Sequence, residues 1–179
     1  MPDPVLAARV HRAAHLTGEF LLRSGATSSE YFDKYLFEAD PVLLADVARG
    51  LAALLPDDID ALAGLELGGI PLVTAVSALT GLPARFVRKQ AKTYGTRRLA
   101  EGGPIAGLRL AVIEDVITSG GQVVASCEDL RAHGATIAGV VCVIDREAGG
   151  TDNLRAAGLD LGALFTMSQL NQAARADSR

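Results

Sequence analysis

The feature that most constrains this chain is an alternation that begins near residue 61 and runs to the C-terminus. Short apolar runs at 62–67, 84–89, 108–116, 136–145 and 159–165 are punctuated by helically spaced segments at 72–81, 122–134 and 151–158, and a last helix follows. The runs are short for helices and almost continuously apolar, as strands are when both faces are covered. Strands alternating with helices predict an α/β fold: a central parallel sheet flanked by helices, with right-handed crossovers. Ligands of such sheets bind at the carboxyl ends of the strands. That brings three loops to one edge: those after Leu67, after Asp115 and near Asp145–Arg146. One connection, 92–107, is polar and glycine-bearing and reads as a loop.

Before residue 60 the pattern differs. Pro4 to Thr17 reads as a helix with apolar Val5, Leu6 and Val10, ending near Gly18. The stretch 19–37 has two apolar or aromatic parts around a Ser/Gly/Thr-rich turn, which predicts a hairpin-like pair of short strands. Asp40 then caps a helix with Pro41 at its first position, an apolar stripe from Leu44 to Leu55, and Pro56 as its stop. No internal repeat or second domain is visible. The chain reads as a single domain over 1–179, with a small hood at about 1–40 above the ligand edge and the α/β core at about 41–179.

Hydrophobic residues make up 49% of the chain, enough for a globular core and too many for a disordered protein. Apolar runs are too interrupted to span a bilayer and the N-terminus lacks a secretory stretch, so the expected setting is cytoplasmic, without a membrane partner. Cys127 and Cys142 sit in apolar surroundings and read as buried free thiols. The net charge of −4 does not favour bulk nucleic-acid binding. Yet between Arg85 and Arg98 there are six basic residues and no acid. A cationic cluster on an acidic protein suits a small, highly charged anion.

The stretch 112–122, VIEDVITSGGQ, carries the chemistry. An apolar strand delivers Glu114 and Asp115, and Thr118, Ser119, Gly120 and Gly121 then open a helix. Small residues let the backbone wrap an anion, with N–H groups, hydroxyls and the positive helix end turned toward a phosphate. The Lys of a Walker A loop and the GxGxxG of dinucleotide sites are both missing. Carboxylates beside a phosphate repel it unless ribose hydroxyls or a Mg2+ ion intervene. Ribose, phosphate and acids together describe a phosphorylated sugar.

This stretch resembles the phosphoribosyl-pyrophosphate motif of the type I phosphoribosyltransferases. Residues 18–33 resemble the hood signature of the orotate phosphoribosyltransferases, 88–95 that family's Arg-Lys-x-x-Lys-x-His/Tyr-Gly stretch, and 145–147 its Asp-Arg pair. The resemblance runs from about Gly18 to the last strand and implies the type I phosphoribosyltransferase fold. It implies that Thr118, Ser119, Gly120, Gly121 and Gln122 hold the 5-phosphate, that Glu114 and Asp115 hold the ribose hydroxyls, and that Val116 and Ile117 belong to the same phosphoribosyl-pyrophosphate site. Arg88, Lys89, Lys92 and Tyr94 would serve the pyrophosphate, partly across a homodimer, with Lys92 and Asp115 the catalytic residues. Arg23, where Lys is usual, would reach both substrates. Tyr31, Phe32, Thr118 and Arg146 would contact orotate. Gly68 stands where the family often has Lys, and Tyr35 where the hood often has Arg; both lower the local positive charge.

The implied reaction joins orotate to phosphoribosyl pyrophosphate, giving orotidine 5′-monophosphate and pyrophosphate in pyrimidine biosynthesis, with Mg2+ as cofactor and 92–103 closing over the substrates. A phosphoribosyltransferase for another base, and a non-catalytic sugar-phosphate-binding regulator, stay open as alternatives at this level.

Overall fold

The computed structural model describes residues 3–21, 25–90 and 98–177. Asp3 caps α1 (Pro4–Ala14), accepting hydrogen bonds from the Val5 and Leu6 amides. The helix buries Leu6, Ala7, Val10 and Ala14, then stops earlier than its composition predicts, because His15 turns extended and opens a strand. This strand, β1 (His15–Leu21), pairs antiparallel with β2 (Thr27–Phe32), and a register shift between Thr17 and Phe20 absorbs Gly18. Gly18 therefore marks an irregularity in a strand, not a helix end.

A second departure follows. The segment 34–37 does not extend the hairpin; it opens α2 (Lys34–Ala39), where Asp33 accepts from the Tyr35 amide and Phe37 is fully buried. Asp40 caps α3 (Pro41–Ala52) through the Val42 and Leu43 amides, as predicted, although the helix ends short of Pro56.

The core follows as β3 (Ala61–Leu65), α4 (Gly69–Thr80), β4 (Ala84–Val87), β5 (Ala100–Glu101), β6 (Arg109–Ile117), α5 (Gly121–Ala132), β7 (Thr136–Asp145), α6 (Gly150–Ala156), β8 (Leu161–Thr166) and α7 (Met167–Asp177). The sheet order is β5-β4-β3-β6-β7-β8. All neighbours are parallel except β5, a two-residue strand antiparallel to β4 within what the sequence presents as a loop. Two residues are too few to carry a strand period, so only pairing with the exposed edge of β4 reveals it.

Both faces of the sheet are covered, which explains the continuous apolar runs. Along β6, Ala111 and Ile113 face the layer of α1, α3, α4 and α7, while Leu110 and Val112 face that of α5 and α6. Cys127 and Cys142 are buried and free. Between β3 and β6 the chain direction of construction reverses: β3 continues outward to β4 and β6 outward to β7. Open α/β sheets bind their ligands at such a switch point, here above the loops that leave β3 and β6.

Two glycines seat α4 against this point. A Cβ at Gly64 would lie 2.4 Å from the Gly69 carbonyl oxygen and 2.5 Å from Val73 Cγ1, and one at Gly69 would lie 2.5 Å from the Ile113 carbonyl oxygen. Gly64→Ala must therefore push α4 off the sheet. We expect a loss of about 1–3 kcal/mol, as overpacking generally gives, measured as a lower denaturation midpoint at unchanged m-value.

Candidate active site

At the carboxyl end of β6 the Asp115 side chain is fully enclosed. A buried carboxylate requires partners, and three parts of the chain supply the corner that holds it. Its Oδ1 accepts from the Val116 amide at 2.5 Å. Its Oδ2 forms an ion pair at 2.5 Å with Lys34 Nζ, which α2 brings down from the hood. The third wall is Gly68 in the loop after β3. Its φ of −67° is open to any residue, but a Cβ there would lie 1.5 Å from Asp115 Oδ2. A Cβ at 68 is thus excluded by the observed position of the Asp115 side chain, not by backbone conformation.

Two further carboxyls share this neighbourhood. Burial, then the hydrogen bond and charge of Asp115, push the Glu114 carboxyl well above the usual carboxylate range. Burial, then the charge of Asp115, push Glu38 up to about 8, against the opposing pull of Lys34. Burial works against the charge on Lys34, but its hydrogen bond to Asp115 and the charges of Asp115 and Glu114 hold the ammonium above its ordinary range. Lys34 and Glu38 escape sequence reading because the segment looks like strand; their i, i+4 spacing is the signal that a helix would have exposed.

Immediately beyond, Thr118, Ser119, Gly121 and Gln122 are exposed at the start of α5. Gly120 turns the chain with φ 75°, and a Cβ there would strike Leu154 Cδ1 at 2.3 Å. No side chain caps α5, so its first amides remain available to an anion. The loop is backed by α6: Asn153 Nδ2 donates to the Ser119 carbonyl at 2.9 Å. Val116 and Ile117 still belong to β6. Ile117 is buried and its carbonyl accepts from the Arg146 amide, leaving it a structural place beneath the cradle.

Arg146 leaves the end of β7 with an exposed side chain. It lines a cavity of about 390 Å³ together with Tyr31 and Phe32, so the structure assembles three of the residues predicted to meet the base. Tyr31 is exposed and stacks on Phe20 with centroids 5.5 Å apart, while Phe32 is half-buried against the core and meets the edge of His11. His11 and His15 also line this cavity and stack at 4.7 Å. Neither was singled out in the sequence, where only their i, i+4 spacing hinted at them.

The basic run divides. Arg85 is buried and donates to the carbonyls of Pro104 and Ala84, which makes it structural. Arg88 pairs with Glu101 at 3.4 Å, and the Lys89 amide donates to Glu66 Oε1 at 2.6 Å, tying the end of β4 to the loop after β3. Lys89 keeps its side chain exposed beside that edge. Tyr35 is exposed, with Lys34 Nζ 5.3 Å from its ring centroid. Arg23, Lys92 and Tyr94 lie outside the described residues.

The shift of Glu38 has a testable consequence. Both its carboxyl oxygens are buried, with no hydrogen-bond partner among the described residues. An acid whose folded pKa is raised favours folding most below its unfolded value, near 4.5, and loses that contribution as pH rises through about 8. Glu38→Gln removes the ionisation. Its melting temperature relative to wild type should climb between pH 5 and pH 9, by an amount equivalent to roughly 1–3 kcal/mol; a pH-independent difference would refute the assignment.

Residues 38–155 match the phosphoribosyl transferase domain family. The chain is 53% identical over 174 residues to the orotate phosphoribosyltransferase of a Nocardioides species, covering 97% of each chain. The Mycobacterium tuberculosis orotate phosphoribosyltransferase in complex with Fe(III) dicitrate is similar at a TM-score of 0.85 and 30% identity, over 93% of this chain and 97% of that one. A structure of that enzyme in complex with 5-phospho-α-D-ribosyl 1-diphosphate gives 0.80 and 27%, over 94% and 98%. The chain therefore belongs to the phosphoribosyl transferase family and, within it, to the orotate phosphoribosyltransferases.

Proposed function

We propose that this chain transfers the ribose 5-phosphate group of phosphoribosyl pyrophosphate to orotate, giving orotidine 5′-monophosphate and pyrophosphate in the route to pyrimidine nucleotides. The observation that carries this reading is the continuity at the end of β6: an enclosed carboxylate, then exposed Thr118 and Ser119, then the uncapped start of α5. A sugar phosphate matches that order, its hydroxyls toward Glu114 and Asp115 and its terminal phosphate toward residues 118–122. Arg146, with Tyr31 and Phe32, offers an anionic flat base a guanidinium fork and aromatic walls.

In the reaction a ring nitrogen of orotate bonds to the anomeric carbon as the carbon–oxygen bond to pyrophosphate breaks, and the electron pair leaves with pyrophosphate. The sugar passes through an oxocarbenium-like state while negative charge grows on the leaving group. The proton on that ring nitrogen is released to water as the bond forms, and because orotate loses it readily a strong general base is not essential. The chain's work is then positioning and electrostatic stabilisation. In this assignment Lys92, with Arg88 and Lys89, stabilises the leaving pyrophosphate, Tyr94 also serves it, and Arg23 serves both substrates. Some of them act across a homodimer.

Among the described residues no three of His, Cys, Asp and Glu converge as a metal cage. The donors present suit an ion held mainly by substrate and water oxygens beside the acids, which is how Mg2+ commonly binds. When bound, Mg2+ supplies charge neutralisation on the pyrophosphate. No helix among the described residues is long and apolar enough to cross a membrane, and the reading places the enzyme in the cytoplasm with small-molecule partners, without nucleic acid.

The decisive experiment follows orotate absorbance in the presence of phosphoribosyl pyrophosphate and Mg2+, with uracil, adenine and hypoxanthine as competing bases. Loss of signal with orotate alone confirms the base; turnover only with another base overturns it. Lys92→Ala should lower turnover by about two or more orders of magnitude, and near-normal turnover removes Lys92 from the mechanism. Asp115→Asn should weaken sugar binding in a folded protein, seen as a raised KM for phosphoribosyl pyrophosphate at unchanged circular dichroism.

A further inference from the structure

We propose that Lys34 is a positioning residue for the transfer reaction: from the hood it holds the Asp115 carboxylate in the space left by Gly68, in the orientation that receives the ribose hydroxyls. The inference rests on the reading of this edge as a phosphoribosyl site and adds a residue that no motif marks.

The geometry is specific. Asp115 is wholly enclosed, whereas the Lys34 side chain remains about one-third exposed. Oδ1 is engaged by the backbone of the next residue, which leaves Oδ2 to set the rotation of the carboxylate. Oδ2 has Lys34 Nζ at 2.5 Å and the Gly68 backbone beneath it. A side chain at 68 and the observed Asp115 orientation exclude one another, since a Cβ there would also lie 2.3 Å from Asp115 Cγ. The loop after β3 therefore presents no side chain at this position, and the cation beside the acids is delivered by α2.

Lys34 also acts on the neighbouring carboxyls. Its charge opposes the rise of both Glu38 and Glu114, which otherwise crowd the same corner. Without it, the repulsion that Asp115 exerts on Glu38 and Glu114 would lose its offsetting cation. Lys34 lies two residues beyond Phe32, which lines the cavity shared with Arg146. The hood segment 31–34 thus spans from the base cavity to the ribose acids, and the two are set by one short piece of chain.

A group that orients a ribose ligand without touching the base should appear in the KM for phosphoribosyl pyrophosphate. Lys34→Met should raise that KM at least about tenfold while the KM for orotate changes less than about threefold, and Lys34→Arg should recover part of the loss. Gly68→Ala, acting on the same carboxylate, should raise the same KM. Combined with Lys34→Met it should add little, because both changes work through Asp115. An unchanged KM for phosphoribosyl pyrophosphate in folded Lys34→Met overturns the proposal, as do equal rises for both substrates or multiplicative effects in the double variant. Should Lys34→Met not fold, Gly68→Ala carries the test, since it keeps Lys34 and must still shift only the sugar KM. Absence of orotate turnover in the wild type would instead count against the proposed function, which keeps the two failures distinct.

Discussion

The structure turns on one buried charge. A carboxylate withdrawn from water costs several kcal/mol unless it is matched, and Asp115 is fully withdrawn at the end of the central strand. Its match comes from three separate places: its own backbone, the hood through Lys34, and the loop after β3 through the empty space at Gly68. Docking of the hood through Lys34 and the bare backbone at Gly68 are therefore two answers to a single problem, and disturbing either leaves the carboxylate without one side of its enclosure.

Much of this could be read from the chain. The covered sheet was legible because parallel strands buried on both faces write continuous apolar runs, and the crevice was legible because strand-to-loop transitions at 65, 117 and 145 share one edge. The α3 cap was legible because Asp-Pro satisfies and removes orphan amides locally. What failed was whatever depends on distant contacts. The segment after Asp33 has the aromatic composition of a strand, yet burial of Phe37 against the core and the Asp33 cap make it a helix. The β5 strand exists only as a partner for the edge of β4.

The site shows the same division. Residues 114–122 announce themselves because consecutive residues make the cradle, whereas Lys34 and Gly68 matter only through their approach to Asp115 across 81 and 47 positions of sequence, as their numbering shows. The basic run illustrates the converse. Arg85 counts toward a cationic cluster in composition, but its guanidinium is spent on two backbone carbonyls. Charge density along a sequence therefore overstates the charge available to a ligand.

The bare beginning of α5 carries one last implication. A helix end without a side-chain cap leaves donors that water must serve, and a bound terminal phosphate would serve them better. A ligand that bound the native form alone would raise the folded population with its free concentration by mass action. Occupancy of that helix end would then slow the loss of the chain to proteolysis as well as hold the ligand.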